Sequence, residues 1–299
     1  QNAVAGPLCQ PDINTQSITI KGEPITTITS QTICEGSTIT LNPTVYNCYA
    51  RQVVKYLWDF GVTPPTSIDD TTAPNPTLIF SSAGTYNYTL TLTNECGSSQ
   101  YSSSILVNPA VQISASGPAG TCLNTTIPLT GSISGGASTG IWTASVVGGS
   151  FIPSNSAISP EYNSPKDYIG DIVFTLTSTD PAGPCSSVNE SFTVAFNDKA
   201  TADTGVYGPI CQNGTLQLNG IIGGAASTSS WASSAGGTFS DSNSLNSSYT
   251  PAAGFTGTIE LTLTTDNPPG PCNAATDKVI IEIVTNQTSN IKKCITICK

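Results

Sequence analysis

Ten cysteines are spread along the 299 residues, and eight of them keep a single period. One series runs Cys34, Cys122, Cys211 and Cys298 in steps of 88, 89 and 87; the other runs Cys9, Cys96, Cys185 and Cys272 in steps of 87, 89 and 87. The flanking residues repeat too. "TIC" at 32–34 returns at 296–298, "GPC" at 183–185 returns at 270–272, and "GPLC" at 6–9 is a variant. Trp142 and Trp231 each follow a first-series cysteine by 20 residues and Trp58 by 24, while "IWTASVVGGSF" (141–151) aligns with "SWASSAGGTF" (230–239). A fixed period of this size means that one folding unit has been copied, so the fold is set by what about 88 residues can enclose.

Each copy reads as a run of short strands. In the first, 25–30, 37–41, 53–61, 76–80, 85–94 and 101–107 are β-branched or alternating segments separated by Gly, Pro, Asn and Ser. Alternation with period two is the pattern of a half-buried strand, and those separators supply turn geometry. Six or seven strands in such a length predict an immunoglobulin-like sandwich. Its inward faces are expected to carry Leu57, Phe60, Leu90 and Leu92 in the first repeat, Trp142, Phe151, Phe174 and Leu176 in the second, and Trp231, Phe239, Leu261 and Leu263 in the third.

Composition removes several classes of function. Charged residues make up 9% of the chain, against about 25% in an ordinary soluble domain. The balance of 19 acidic to 9 basic residues gives a net charge of −10, with Arg51 the single arginine, which argues against nucleic acid because phosphate contacts need clustered Lys and Arg. No apolar run approaches the roughly 20 residues that span a bilayer, so membrane insertion of this segment is not expected. Without histidine, and without a C-x2-C pair, the cysteines read as disulfides of an oxidising compartment rather than zinc ligands. Six N-x-S/T sequons, at Asn87, Asn124, Asn189, Asn213, Asn246 and Asn286, are candidate glycan acceptors.

The stretch "YLWDFGVTPP...AGTYNYTLTLTNECGS" resembles a PKD domain over most of 21–108, through its W-D-F-G strand and its G-x-Y-x-x-x-L-x-x-x-N strand. The other two copies replace W-D-F-G with "IWTASVV" and "SWASSAG" and resemble the PKD-like or Ig-like repeats that accompany PKD domains. Arrays of this kind, with cysteines before the second strand and after the sixth, are similar to the giant surface adhesins of Bacteroidetes, including gliding-motility adhesins exported by the type IX secretion system. The resemblance implies an all-β chain of tandem sandwiches stacked head to tail into a rod. Residues 1–20 are expected to be the last strand of a preceding repeat, 21–108 a PKD domain, 109–197 and 198–285 PKD-like or Ig-like repeats, and 286–299 the first strand of a following repeat. It implies a non-catalytic filament segment at the cell surface, whose partners are neighbouring repeats of a longer polypeptide and a surface polysaccharide or other cell-surface ligand. Accessory modules of a secreted hydrolase and a self-assembling fibre subunit are the alternatives.

Two disulfide schemes stay open. Bridges within repeats would join Cys34 to Cys96, Cys122 to Cys185 and Cys211 to Cys272. In an Ig-like topology, however, a cysteine before the second strand and one after the sixth lie at opposite poles. A six-residue strand spans roughly 20 Å, whereas bridged Cα atoms come within about 7 Å. That separation favours bridges across repeat boundaries, Cys34 with Cys185 and Cys122 with Cys272. Cys9 and Cys298 would then have partners outside the chain, while Cys48 and Cys294 stand outside the ladder without an assigned partner.

Nothing in the sequence sets out catalytic chemistry. No G-x-S-x-G occurs, and the adjacent acids Asp69 and Asp70 lie in a Pro- and Thr-rich loop, where solvated turn residues are expected. Asp59 is expected to hold neighbouring backbone. Asp180 and Asp266 recur before the "GPC" cysteines and are the calcium candidates, although calcium takes six to eight oxygen ligands and each loop offers one carboxylate. The paired glycines at 148–149 and 236–237 read as hairpin turns, and the three tryptophans as core residues rather than sugar-stacking platforms. No cofactor is implied.

Overall fold

The computed structural model describes residues 22–46, 54–181, 183–268 and 270–285. Cys9, Cys48, Cys294, Cys298, Asn286 and the two terminal strands expected at 1–20 and 286–299 lie outside the described residues.

The first repeat contains β1 (Ile25–Thr27), β2 (Gln31–Cys34), β3 (Thr38–Thr40), β4 (Thr44–Tyr46), β5 (Lys55–Asp59), β6 (Ser67–Ile68), β7 (Thr77–Ile79), β8 (Gly84–Asn94) and β9 (Gly97–Asn108). The second contains β10 (Val111–Ser116), β11 (Gly120–Cys122), β12 (Thr126–Pro128), β13 (Thr130–Gly135), β14 (Gly140–Ala144), β15 (Ser150–Ile152), β16 (Glu161–Asn163), β17 (Gly170–Ser178) and β18 (Asn189–Asn197). The third contains β19 (Ala200–Asp203), β20 (Ile210–Cys211), β21 (Leu216–Gln217), β22 (Ile221–Gly224), β23 (Ser229–Ser233), β24 (Thr238–Phe239), β25 (Ser248–Thr250), β26 (Gly257–Thr265) and β27 (Thr276–Val284). One sheet plan serves all three. The four-stranded sheet is β2-β9-β8-β5 in the first, β11-β18-β17-β14 in the second and β20-β27-β26-β23 in the third. Against these stand three-stranded sheets β3-β7-β6, β12-β16-β15 and β21-β25-β24, with two-stranded pairs β1-β4, β10-β13 and β19-β22. The fold is all-β, a tandem of Ig-like sandwiches.

Alternation builds the core. Along β8, Tyr88, Leu90 and Leu92 are buried while the residues between them are not. They meet Ile105 and Val107 of β9, Trp58 of β5 and Leu78 near Phe80. The third repeat repeats the set with Ile259, Leu261 and Leu263 on β26, Ile281 and Ile283 on β27, and Trp231 on β23. Each fully buried Leu or Ile contributes roughly 1.5–3 kcal/mol relative to exposure. In the second, Trp142 meets Phe192 edge-on with centroids 6.1 Å apart, and Phe174 packs at right angles on Tyr162 at 4.7 Å.

Two expectations need correction. Leu57 does not face inward: it is 53% exposed, while Trp58 is 2% exposed. Residues 57 and 60 have opposite parity along a strand, so they cannot share a face with each other, whereas Trp58 and Phe60 can. The paired glycines are not hairpin turns either. Gly148 and Gly149 lie between β14 and β15, which belong to different sheets, and the same holds for Gly236 and Gly237 between β23 and β24. Gly149 and Gly237 sit so close over the rings of Tyr162 and Tyr249 that a Cβ would collide with the phenol oxygen.

Packing divides the chain into two compact units: Gln1–Ser114 with Gly131–Ile141 and Leu176–Glu190, and Ala115–Thr130 with Trp142–Thr175 and Ser191–Lys299. Each unit joins residues of more than one repeat.

Candidate functional site at the repeat junctions

Within the first unit, β2 runs parallel to β9 and ends level with it, Cys34 opposite Asn108. A strand parallel to the last strand finishes where the chain leaves the repeat, so this short segment carries Cys34 to that exit. Just past it, Glu35 N–H donates to the Asn108 carbonyl at 2.9 Å, and the Glu35 carboxylate accepts from Ala110 N–H at 3.2 Å. Cys185 comes from the connection between β17 and β18 and is joined to Cys34, with the Cα atoms 5.2 Å apart. Its sulfur rests 3.8 Å from the carbonyl oxygens of Asn108 and Pro109. Gly183 has φ +88°, and a Cβ there would run into the Asn108 side chain. Glycine is therefore required twice over, by the left-handed backbone and by the close approach.

The second unit repeats this arrangement 87 to 89 residues on. Cys122 lies opposite Asn197 in the parallel pair β11-β18, and Leu123 N–H donates to the Asn197 carbonyl at 2.8 Å. Cys272 is joined to Cys122 with Cα atoms 5.5 Å apart, and its sulfur lies 3.7 Å from the Asn197 carbonyl oxygen. Gly270 also has φ +88°, and a Cβ would lie 2.8 Å from Asn197 Nδ2. Asn197 in turn donates to the Thr121 carbonyl at 3.2 Å, which fixes the side chain under the glycine. A second pair of glycines packs on each linker: Gly136 N–H donates to Ala110 O at 3.3 Å, and Ala225 N–H donates to Lys199 O at 3.2 Å beside Gly224. Cys185 and Cys272 are buried, at 5% and 4% exposure, so solvent reductants reach these sulfurs poorly.

The structure thus brings together Cys34 with Cys185 and Cys122 with Cys272. The within-repeat alternatives Cys34 with Cys96 and Cys122 with Cys185 are not the pairs found. Cys96 lies in the turn between β8 and β9, and Cys211 is buried at the end of β20, opposite Val284. Sequence reasoning missed Asn108, Asn197 and the glycines at 135–136 and 223–224. Their signal was present, since Asn108 and Asn197, and Gly135 and Gly224, recur at a step of 89.

Of the remaining candidates, Asp59, Asp69, Asp70 and Asp266 hold local structure. Among the described residues there is no cluster of three or more metal-ligating side chains. Asp266 accepts from Ser227 Oγ at 2.6 Å, Thr228 N–H at 2.9 Å and Ser227 N–H at 2.9 Å, and these donors lower its pKa from 3.8 to about 2. It is also the one carboxylate lining an open, hydroxyl-rich groove on the third repeat. Asp180 is exposed. Asp69 accepts from Thr77 N–H at 2.9 Å and Asp70 from the Thr72 hydroxyl at 2.7 Å, contacts that lower both pKa values and mark turn carboxylates rather than a dyad. Asp59 accepts from Gly61 N–H at 2.8 Å, closing the turn after β5. Trp58, Trp142 and Trp231 are 2%, 0% and 4% exposed, which leaves no ring face for a sugar. Asn87, Asn124, Asn189, Asn213 and Asn246 are all exposed, although Asn124 Nδ2 is engaged, donating to Asp167 at 3.1 Å.

The sheet plan and the junctions define a tandem of Ig-like repeats, in which no helix among the described residues is long and apolar enough to cross a membrane. Residues 25–107 match the PKD domain family. Comparison with curated protein sequences gives no match. Among solved structures, the I-band fragment I67–I69 from titin is similar at 13% identity, covering 90% of this chain and 100% of that one, with a TM-score of 0.48. Drosophila OTK extracellular domains 3–5 align at 13% identity over 93% and 99% of the two chains, TM-score 0.38. Mouse cadherin-23 EC22–24 aligns at 13% identity over 88% and 99%, TM-score 0.39.

Proposed function

We propose that the chain is a non-catalytic structural and adhesive segment of an extracellular cell-surface protein, in which sandwiches are joined in series and held at fixed junctions. The observation that carries this reading is the junction itself. Two boundaries use the same asparagine, the same Gly-Pro-Cys loop and the same bridge, and a segment selected only for its separate domains has no need to repeat its joints. Disulfides support an oxidising compartment for it. The same chemistry supports neighbouring repeats as its partners, because the end of β20 copies the other exits, with Gln212 N–H donating to Val284 O at 2.7 Å. In its finer form the proposal is a gliding or attachment adhesin exported by the type IX system, with a surface polysaccharide among its ligands. Antibodies raised against the chain should label intact, unpermeabilised cells of the producing organism, and their Fab fragments should block attachment to a surface. Labelling that needs permeabilisation, or co-purification with an adjoining hydrolase domain and no effect on attachment, would overturn the reading.

A further inference from the structure

We infer that the two disulfides form a crossed covalent clamp that caps how far the chain extends under tension and takes most of the first and third repeats out of the load path. The inference rests on the pairing and not on what the chain adheres to. Cys34–Cys185 and Cys122–Cys272 enclose loops that overlap over residues 122–185, so neither loop opens fully while the other bond holds. In a chain whose Cys9, Cys48, Cys294 and Cys298 are serine, tension applied between residues 22 and 285 follows the shortest covalent route that these two bonds leave. That route runs from 22 to Cys34, crosses to Cys185, returns along the chain to Cys122, crosses to Cys272 and continues to 285. It is about 88 residue steps long (12, 63 and 13), against 263 for the open chain, or about 310 Å against about 920 Å at full extension.

The route has structural consequences. Of the first repeat only β1 and β2 lie on it, and of the third only β27; residues 35–121 and 186–271 are slack, including both linkers with their Asn108 and Asn197 contacts. The second repeat alone is loaded across most of its strands, between the end of β11 and the loop after β17. Fully stretched, the clamped chain stops lengthening while β3 to β10 and β18 to β26 carry no tension through the backbone.

Single-molecule stretching of the full chain, with handles at residues 22 and 285, tests this in a background where Cys9, Cys48, Cys294 and Cys298 are serine. Replacing Cys34 and Cys185 together should lengthen the final contour by about 25 residue steps, and replacing Cys122 and Cys272 should do nearly the same; replacing all four should add about 175. The large excess of the fourfold variant over the two pairs is the mark of crossed bonds. Contour length is a covalent quantity, so it reads the bond topology even where a variant folds poorly. Within-repeat bridges would give independent gains of about 60 residue steps for each bond removed, with no excess, and that additive result would overturn the inference.

Discussion

Three tryptophans occupy one structural position and differ in what the indole N–H meets. Trp58 Nε1 donates to Ala73 O at 2.9 Å and Trp142 Nε1 to Ile158 O at 3.2 Å, whereas the buried Trp231 Nε1 has no partner among the described residues. A buried donor left unpaired costs about 1–3 kcal/mol, and a satisfied one contributes about 1. Trp231→Phe should therefore cost less than Trp58→Phe by about 1 kcal/mol or more, measured by denaturant unfolding of each variant; equal losses would show that ring packing alone decides. Asp266 gives a pH-dependent case. Its folded pKa is lowered by the Ser227 hydroxyl and the amides of Thr228 and Ser227, so its contribution is present above the unfolded value near 3.8 and is lost as pH falls through about 2. The melting difference between the native chain and Asp266→Ala should be widest near neutrality and shrink from pH 4 toward pH 2. At this scale the tryptophans were legible as core from their spacing alone. The role of Asp266 was not, because its donors lie 38 and 39 residues earlier on another loop.

Strands with a hydrophobic period were legible, and strands without one were not. β8, β17 and β26 carry three buried apolar residues each at alternate positions, and the expected inward residues Leu90, Leu92, Phe174, Leu176, Leu261 and Leu263 are among them. β2, β11 and β20 have two to four residues, too few to show a period, and they are held by parallel pairing to the last strand of their own repeat. The cysteine ending each was their visible trace. Parity also explains Leu57, which is adjacent to the buried Trp58 on β5 and so takes the opposite face. Leu57→Thr should change stability by no more than about 0.5 kcal/mol, while Leu90→Ala, at a fully buried position of β8, should cost about 2–5 kcal/mol. Urea denaturation of both variants checks the assignment, and a reversed order would place the wrong face of β5 in the core. Gly270→Ala should cost about 1–3 kcal/mol, because its φ of +88° and the Asn197 side chain both exclude a Cβ.

At the scale of the whole chain, the bridges close loops spanning 151 and 150 residues. In the chain-entropy model a loop of that length stabilises the folded state by about 5 kcal/mol, so replacing either pair by serine should lower the unfolding midpoint of both repeats it joins. The copying of the fold was open to view in the 88-residue period, and the positions of the bridges followed from asking which poles the cysteines occupy. What the period could not supply was the surface on which each Gly-Pro-Cys loop rests, since that depends on a left-handed glycine meeting an asparagine 75 or 73 residues earlier. The pairing is read most directly by trypsin digestion without reductant. Residues 167–199 form a tryptic peptide in which Cys185 is the single cysteine. It should be found joined to residues 22–51, which contain Cys34; if it is joined instead to residues 56–166, which contain Cys122, the bridges lie within repeats and the junctions described above are not covalent.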